Sequence, residues 1–199
     1  MRVSREYLDH KKQQIAHVAM RLYCEVGRDV PMSRICEEAG IAKGTIFRYF
    51  PTREAMFKEI FDNCKAHAFE LAAQGLNVQT DAQQSNSQIL TAMVRRAFDW
   101  PLTYPLEFQF VVLYTDATSF FALDEQEPEG LIFNIWGNTQ LKEIAQQCLK
   151  PGIDPVLLER FLSAQVNTAC RYLISRPAPL SEEEINTIAK TICDSVFTV

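Results

Sequence analysis

The 199 residues are 47% apolar and 23% charged, which suits one or two packed domains and excludes a disordered, collagenous or disulfide-scaffold chain. The formal charge of −5 hides an asymmetry: residues 1–65 hold 12 Lys and Arg against 9 Asp and Glu, whereas residues 66–199 hold 8 against 16, so the two parts are expected to meet different partners. Six cysteines without a C-x-x-C spacing, no secretory-type apolar core at the start and no run near the roughly 18 to 20 apolar residues of a membrane span predict a cytoplasmic protein with reduced thiols and no membrane association.

The periodicity is helical along the whole chain, with Gly and Pro between periodic stretches, which predicts an all-α fold of about nine helices. Ile15, Val18, Ala19, Leu22, Tyr23 and Val26 make one stripe of a first helix that Gly27 ends. A short second helix carries Ile35, Cys36 and Ala39 on one side and stops at Gly40. Its start, Pro31-Met32, lacks a capping side chain, so either Ser33 caps or the first turn is tight. Gly40-Ile41-Ala42 has room only for a turn, and Lys43 to Phe50 is predicted as a third helix held by Ile46 and Phe50. Ala42 offers that helix no side-chain cap, so it leans on tertiary packing.

Pro51 ends the third helix and Thr52 is placed to cap a longer one over about 53–74, carrying Met56, Phe57, Ile60, Phe61, Cys64, Ala68 and Leu71. The polar stretch 74–88 separates this from five further helices near 86–99, 104–123, 128–149, 154–176 and 181–197. Ser181 with Glu184 spells a capping box at the start of the last. The expected organisation is a three-helix helix-turn-helix domain over 1–52 and a larger helical domain over 53–199, with 53–74 as the connector.

Two short helices around a glycine turn, behind a long amphipathic helix, are the arrangement that presents one helix outward. Anchored by Ile46 and Phe50, the third helix leaves Lys43, Gly44, Thr45, Phe47, Arg48 and Tyr49 pointing away or sideways. Two cations, a hydroxyl and a glycine that permits close approach suit a phosphate-lined groove. Taken singly, Lys43 and Arg48 read equally as solvated surface charges, and Arg53 as a helix-surface residue.

The run Arg34-Ile35-Cys36-Glu37-Glu38-Ala39-Gly40-Ile41-Ala42-Lys43-Gly44-Thr45-Ile46-Phe47-Arg48-Tyr49-Phe50 resembles the DNA-binding signature of tetracycline-repressor (TetR) family regulators, from the Ile15 stripe through Phe57. The resemblance implies that Thr45 and Arg48 face base edges or nearby phosphates, with Lys43 and Gly44 at the N-terminus of the recognition helix. Tyr49 and Arg53 would contact the backbone, and Ser33 and Arg34, at the start of the preceding helix, match positions the family uses for backbone or occasional base contacts. Phe47 stands where the family often has Tyr, which removes a phenolic hydrogen bond to phosphate; Ala42 stands where Ser is common, and Pro31-Met32 replaces the usual Thr.

A recognition helix reading about 3 bp cannot specify one genomic site, so a two-fold homodimer on a palindromic operator is expected. Val156, Leu157, Phe161, Leu162, Ala164, Gln165, Thr168 and Ala169, with the stripe Ile185, Ile188, Ala189, Ile192 and Val196, are the candidate dimer faces; packing within one chain is the competing reading. The middle region is rich in aromatics, among them Phe120, Phe121 and Phe133, and the family resemblance implies a small-molecule effector there. Phe110, Tyr114, Trp136, Asn167 and Arg171 are the candidate effector contacts, each with ordinary core packing as the alternative. Arg95 and Arg171 suit an anionic ligand while the acidic balance favours a cation, which leaves the effector's charge open.

No nucleophile, general acid–base pair or phosphate loop is apparent, so no enzyme is expected. No cofactor is implied, and no metal, since the best pair, Cys64 and His67, lacks a third ligand. The chain reads as a ligand-responsive transcriptional regulator, a repressor released from double-stranded operator DNA by its effector. The alternative is an all-helical interaction adaptor that has lost effector or DNA binding. Cys36 and Cys24, near the reading head, are the candidates for a redox switch.

Overall fold

The computed structural model describes residues 5–74, 85–119 and 139–198. Its elements are α1 (Arg5–Val26), α2 (Met32–Glu38), a 3-10 turn (Ile46–Arg48), α3 (Arg53–Ala73), α4 (Asn86–Ala97), α5 (Asp99–Thr103), α6 (Pro105–Ser119), α7 (Thr139–Cys148), α8 (Pro155–Ser175) and α9 (Glu182–Val196). The fold is all-α, with no strand among the described residues beyond an isolated antiparallel bridge between Leu149 and Phe197. No described helix is long and apolar enough to cross a membrane. The chain divides into two compact units, Met1–Lys65 with Leu106–Ala122, and Ala66–Pro105 with Leu123–Val199.

In the first unit α1 buries Ile15, Ala19, Leu22 and Tyr23, a stripe at helical spacing. Val26, expected in that stripe, is exposed because the helix closes just beyond it: Gly27, at φ +92, donates its N–H to the Tyr23 carbonyl at 2.8 Å. α2 starts without a side-chain cap, and the N–H groups of Arg34 and Ile35 both reach the Pro31 carbonyl, at 3.0 and 3.3 Å. The tight first turn, and not a Ser33 cap, is the solution adopted. α2 ends in a paired closure, Ile41 N–H to the Cys36 carbonyl at 2.9 Å and Gly40 N–H to the Glu37 carbonyl at 3.2 Å, with Gly40 at φ +62. That closure satisfies carbonyls the helix would otherwise leave orphaned.

α3 is capped as expected, the Thr52 hydroxyl accepting from Ala55 N–H at 3.0 Å. Its early turns bury Met56, Phe57, Ile60 and Cys64. Within the same unit α6 contributes Phe110, whose ring lies edge-on to Tyr23 at 5.1 Å, and Tyr114, tilted against Phe61 at 4.9 Å. Tyr23 also meets Phe57 edge-on at 5.0 Å. The result is an aromatic core in which edge-to-face contacts add to simple burial.

In the second unit α9 packs on α4 and α8, and α4 also on α7. The stripe Ile185, Ala189, Ile192, Cys193 and Val196 is therefore buried inside the chain. This corrects the expectation that both late helices offer apolar stripes to a partner; α9 has spent its own. Capping boxes open α4, between Ser85 and Gln88, and α9, between Ser181 and Glu184. The expected helix 86–99 ends at Ala97, with buried Phe98 at the joint, and restarts as α5. Pro101 fits there because the first turn of a helix needs no donor at that position. Arg95 ties the joint to α9, hydrogen-bonding Asp99 at 2.8 Å and both Glu182 oxygens at 2.9 Å. The tail after α9 is stitched to the end of α7 by Thr198 N–H to the Cys148 carbonyl, 2.7 Å, and Lys150 N–H to the Val196 carbonyl, 3.1 Å.

Candidate nucleic-acid interface

The segment after the Gly40 turn is not the α-helix its spacing predicts. Residues 43–45 form a turn and Ile46–Arg48 a single 3-10 stretch. The bonds Thr45 N–H to Ala42, Arg48 N–H to Thr45 and Tyr49 N–H to Ile46 run i to i−3 at 2.8 to 3.1 Å, and only Phe50 N–H to Ile46, at 2.9 Å, has α spacing. The cause is local: Ala42 supplies no cap, Gly44 and β-branched Thr45 and Ile46 disfavour helix, and Pro51 blocks extension. Tertiary packing holds the segment instead. Ile46 and Phe50 are almost wholly buried, as their spacing foretold, and the Lys12 ammonium lies 5.1 Å from the centroid of the Phe50 ring.

Ile46 is buried and Tyr49 half-buried. Lys43, Gly44, Phe47 and Arg48 are exposed and Thr45 is half-buried. Among the described residues neither Lys43 nor Arg48 makes an ion pair or side-chain hydrogen bond.

The other expected contacts are placed differently. Ser33 is exposed on α2. Arg34 is committed to Glu38, at 3.1 Å, with Glu25 at 3.8 Å. Glu38 also pairs with Arg21, and these guanidinium hydrogen bonds hold its carboxyl below the usual range. Arg53 donates its Nε–H to the Val30 carbonyl at 3.1 Å, lies over the Phe57 ring at 5.6 Å and has Glu54 at 3.6 Å. It therefore braces the loop before α2 against the start of α3. Both arginines have internal partners that a phosphate must displace, which Lys43 and Arg48 do not.

Two further lysines were not legible as part of this architecture. Lys12 reaches Phe50 and also pairs with Glu59, and Lys11 donates to the Ala39 carbonyl at 3.3 Å, at the negative end of α2. Their partners are distant in sequence, so no spacing signals them. A groove of about 520 Å³ between α1 and the end of α2 is lined by His10, Gln13, Gln14, His17, Val18, Glu38 and Ala39.

Of the candidate effector contacts, Phe110 and Tyr114 belong to the first unit's aromatic core, Phe110 with no exposed surface. Asn167 and Arg171 are exposed on α8 in the second unit. Trp136, Phe120, Phe121 and Phe133 lie outside the described residues. Arg95, once a candidate anion partner, is already bridged by two carboxylates. Among the described residues no group of three or more His, Cys, Asp or Glu side chains could hold a metal. The Cys64 thiol faces the Met20 sulfur at 3.5 Å, and His67 meets Tyr104 edge-on at 4.5 Å. Burial pushes the Cys24 thiol up to about 11 and raises Cys36 as well. Both redox candidates are thus poor in reactive thiolate.

Residues 15–60 match the family model described as bacterial regulatory proteins, tetR family. The nucleoid occlusion factor SlmA of Pasteurella multocida (strain Pm70) is 28% identical over 79 residues, 39% of this chain and 40% of that protein. Its namesake in Mannheimia succiniciproducens is 22% identical over 91 residues, 45% of this chain and 42% of that one. The chain thus aligns with less than half the length of either relative. Solved structures match throughout. A TetR family transcription regulator from Marinobacter aquaeolei VT8 superposes with a TM-score of 0.78 at 16% identity, over 98% of this chain and 100% of the other. A TetR-family transcriptional regulator from Haemophilus influenzae Rd gives 0.68 at 15%, over 98% and 100%. Residues 15–60 thus match the tetR family of bacterial regulatory proteins in sequence, and the chain as a whole shares its fold with solved structures of regulators of that family.

Proposed function

We propose that the protein is a homodimeric transcriptional repressor that binds a palindromic double-stranded operator and leaves it when a small-molecule effector binds. The observation that carries the DNA-binding part is the pair of exposed cations Lys43 and Arg48, without internal partners among the described residues, on the outward side of the segment that residues 15–60 share with the family. Residues 1–52 do the reading and residues 53–199 the sensing and dimerisation, with the helix near 53–74 linking them. Ser33, Arg34, Lys43, Gly44, Thr45, Phe47, Arg48, Tyr49 and Arg53 form the DNA face in this reading, the two braced arginines at its edge.

α8 supports the dimer. Its Leu158, Leu162, Cys170 and Leu173 are buried, while Leu157, Phe161, Ala164, Thr168 and Tyr172 form a second, exposed stripe at helical spacing. A second copy covering that stripe through a two-fold axis gives the isologous interface such a reader needs. The effector contacts we keep are Phe110 and Tyr114, both of the first unit. A ligand that moves either ring of α6 disturbs Tyr23 of α1, which offers a route to the reading head. Operator release then follows from a change in the spacing of about 34 to 36 Å that consecutive major grooves demand of a dimer.

The test is a gel shift of the full chain on duplexes recovered by selection from random sequence. Retardation should be sequence-dependent and should weaken steeply with salt, by about 0.9 log units per log unit of salt for each phosphate engaged. Failure to retard any duplex at low salt would sink this reading and favour the adaptor.

A further inference from the structure

Among the described residues Phe47 is the most exposed large apolar side chain, at 55%. It sits beside Arg48 and near Lys43, two cations that suit a polyanion and not an apolar protein partner. Gly44, three residues earlier, carries no side chain, and a Cβ built there would meet no atom within 4 Å. An aromatic ring kept in water on a charged element is explained if its partner presents an apolar group among polar ones. The major groove does this in one way only: its edges show nitrogen and oxygen donors and acceptors, and the single apolar feature is the thymine 5-methyl group.

We propose that Phe47 determines sequence specificity by packing against the 5-methyl group of a thymine in each operator half-site. The proposal rests on the DNA-binding reading above and adds the base that is read. Phe47 has no hydroxyl to spend on a phosphate, so its contribution is apolar contact, while Arg48 and Lys43 supply the polar and electrostatic part.

The experiment replaces thymines of the selected operator by deoxyuridine, one symmetric pair at a time, and measures Kd by fluorescence anisotropy. Losing one buried methyl should weaken binding about fourfold, and about fifteenfold when both half-sites are changed. The effect should be confined to one position per half-site and absent in Phe47→Ala. Phe47→Leu, which keeps an apolar surface, should retain part of it. Melting temperatures of both variants should match the parent, because the side chain is exposed. If no thymine position is sensitive, or if Phe47→Ala keeps the sensitivity, the contact is overturned while operator binding stands. If no duplex is recovered at all, both readings fall together.

Discussion

The start of α9 and the segment 43–50 are two short stretches with opposite economies. At α9 every local device points inward: Ser181 and Glu184 satisfy each other's backbone N–H groups, at 3.3 and 2.8 Å, and the apolar stripe behind them is buried. At 43–50 no cap is present, the hydrogen bonds are mostly of the tighter 3-10 kind, and two cations and an aromatic ring are left to solvent. Ile46 and Phe50 are the two fully buried side chains of that segment. A stretch so poorly supplied by itself, yet kept in register by two deep anchors, is what a surface looks like when its remaining groups are reserved for something else.

The comparison breaks most decisively at Phe50. Phe50→Ala empties a fully buried site and takes away the ring under Lys12, so a loss of about 3 to 5 kcal/mol is expected. DNA binding should vanish with it, because the segment loses one of its two buried anchors. Thermal unfolding and anisotropy on the same sample check both halves. If the loss of stability is small, the segment is self-supporting and the contrast with α9 is wrong. Arg48→Ala separates the two economies instead. It should leave the melting temperature alone and cost about 1 to 3 kcal/mol of operator affinity if the guanidinium reaches a base edge.

The reverse dissociation is expected at α9. Ser181→Ala should lower stability by about 1 kcal/mol with DNA affinity unchanged, as read by denaturant unfolding beside anisotropy. The same box has a pH signature. Hydrogen bonds from the Ser181 backbone and hydroxyl lower the Glu184 carboxyl, so its contribution is present above the ordinary glutamate value, about 4.3, and is lost as pH falls through the depressed one. The difference in melting temperature between the parent and Glu184→Ala should therefore be full near neutral pH and shrink as the pH is lowered below that range. A difference that stays constant into strong acid would mean the carboxylate does not act through its charge.

How much of this was legible in the sequence follows the range of the interactions involved. Helix type, the Gly27 and Gly40 stops, the Thr52 cap, the Ser181 box and the anchors Ile46 and Phe50 are set by neighbours within a turn or two, and periodicity finds them. The Ser85 box, with Gln88 three residues on, had the same spacing and was equally readable. The spacing of Ile46 and Phe50 did not show that the third helix stops at one 3-10 turn, although the local causes, Ala42, Gly44, Thr45, Ile46 and Pro51, stood in the sequence. Nor could spacing tell that α4 and α8 of the same chain bury the α9 stripe, that Arg34 and Arg53 are held by Glu38 and the Val30 carbonyl, or that Phe110 packs on Tyr23. A basic or apolar residue shows its chemistry in sequence but not its partner.

Gly44 gives the smallest and most discriminating test of the contrast. Its φ lies outside the left-handed range that requires glycine, and a Cβ there meets nothing within the chain. Nothing inside the protein therefore explains a glycine at this position, and Gly44→Ala should stabilise the fold by about 0.4 to 1 kcal/mol by restricting the unfolded chain. If the residue is instead glycine because a duplex approaches the backbone closely, the same methyl should weaken operator binding while the melting temperature rises. Stability and affinity moving in opposite directions upon one added carbon would place the reason for the glycine in the partner. If the two rise together, or affinity does not move, the duplex does not come close at Gly44.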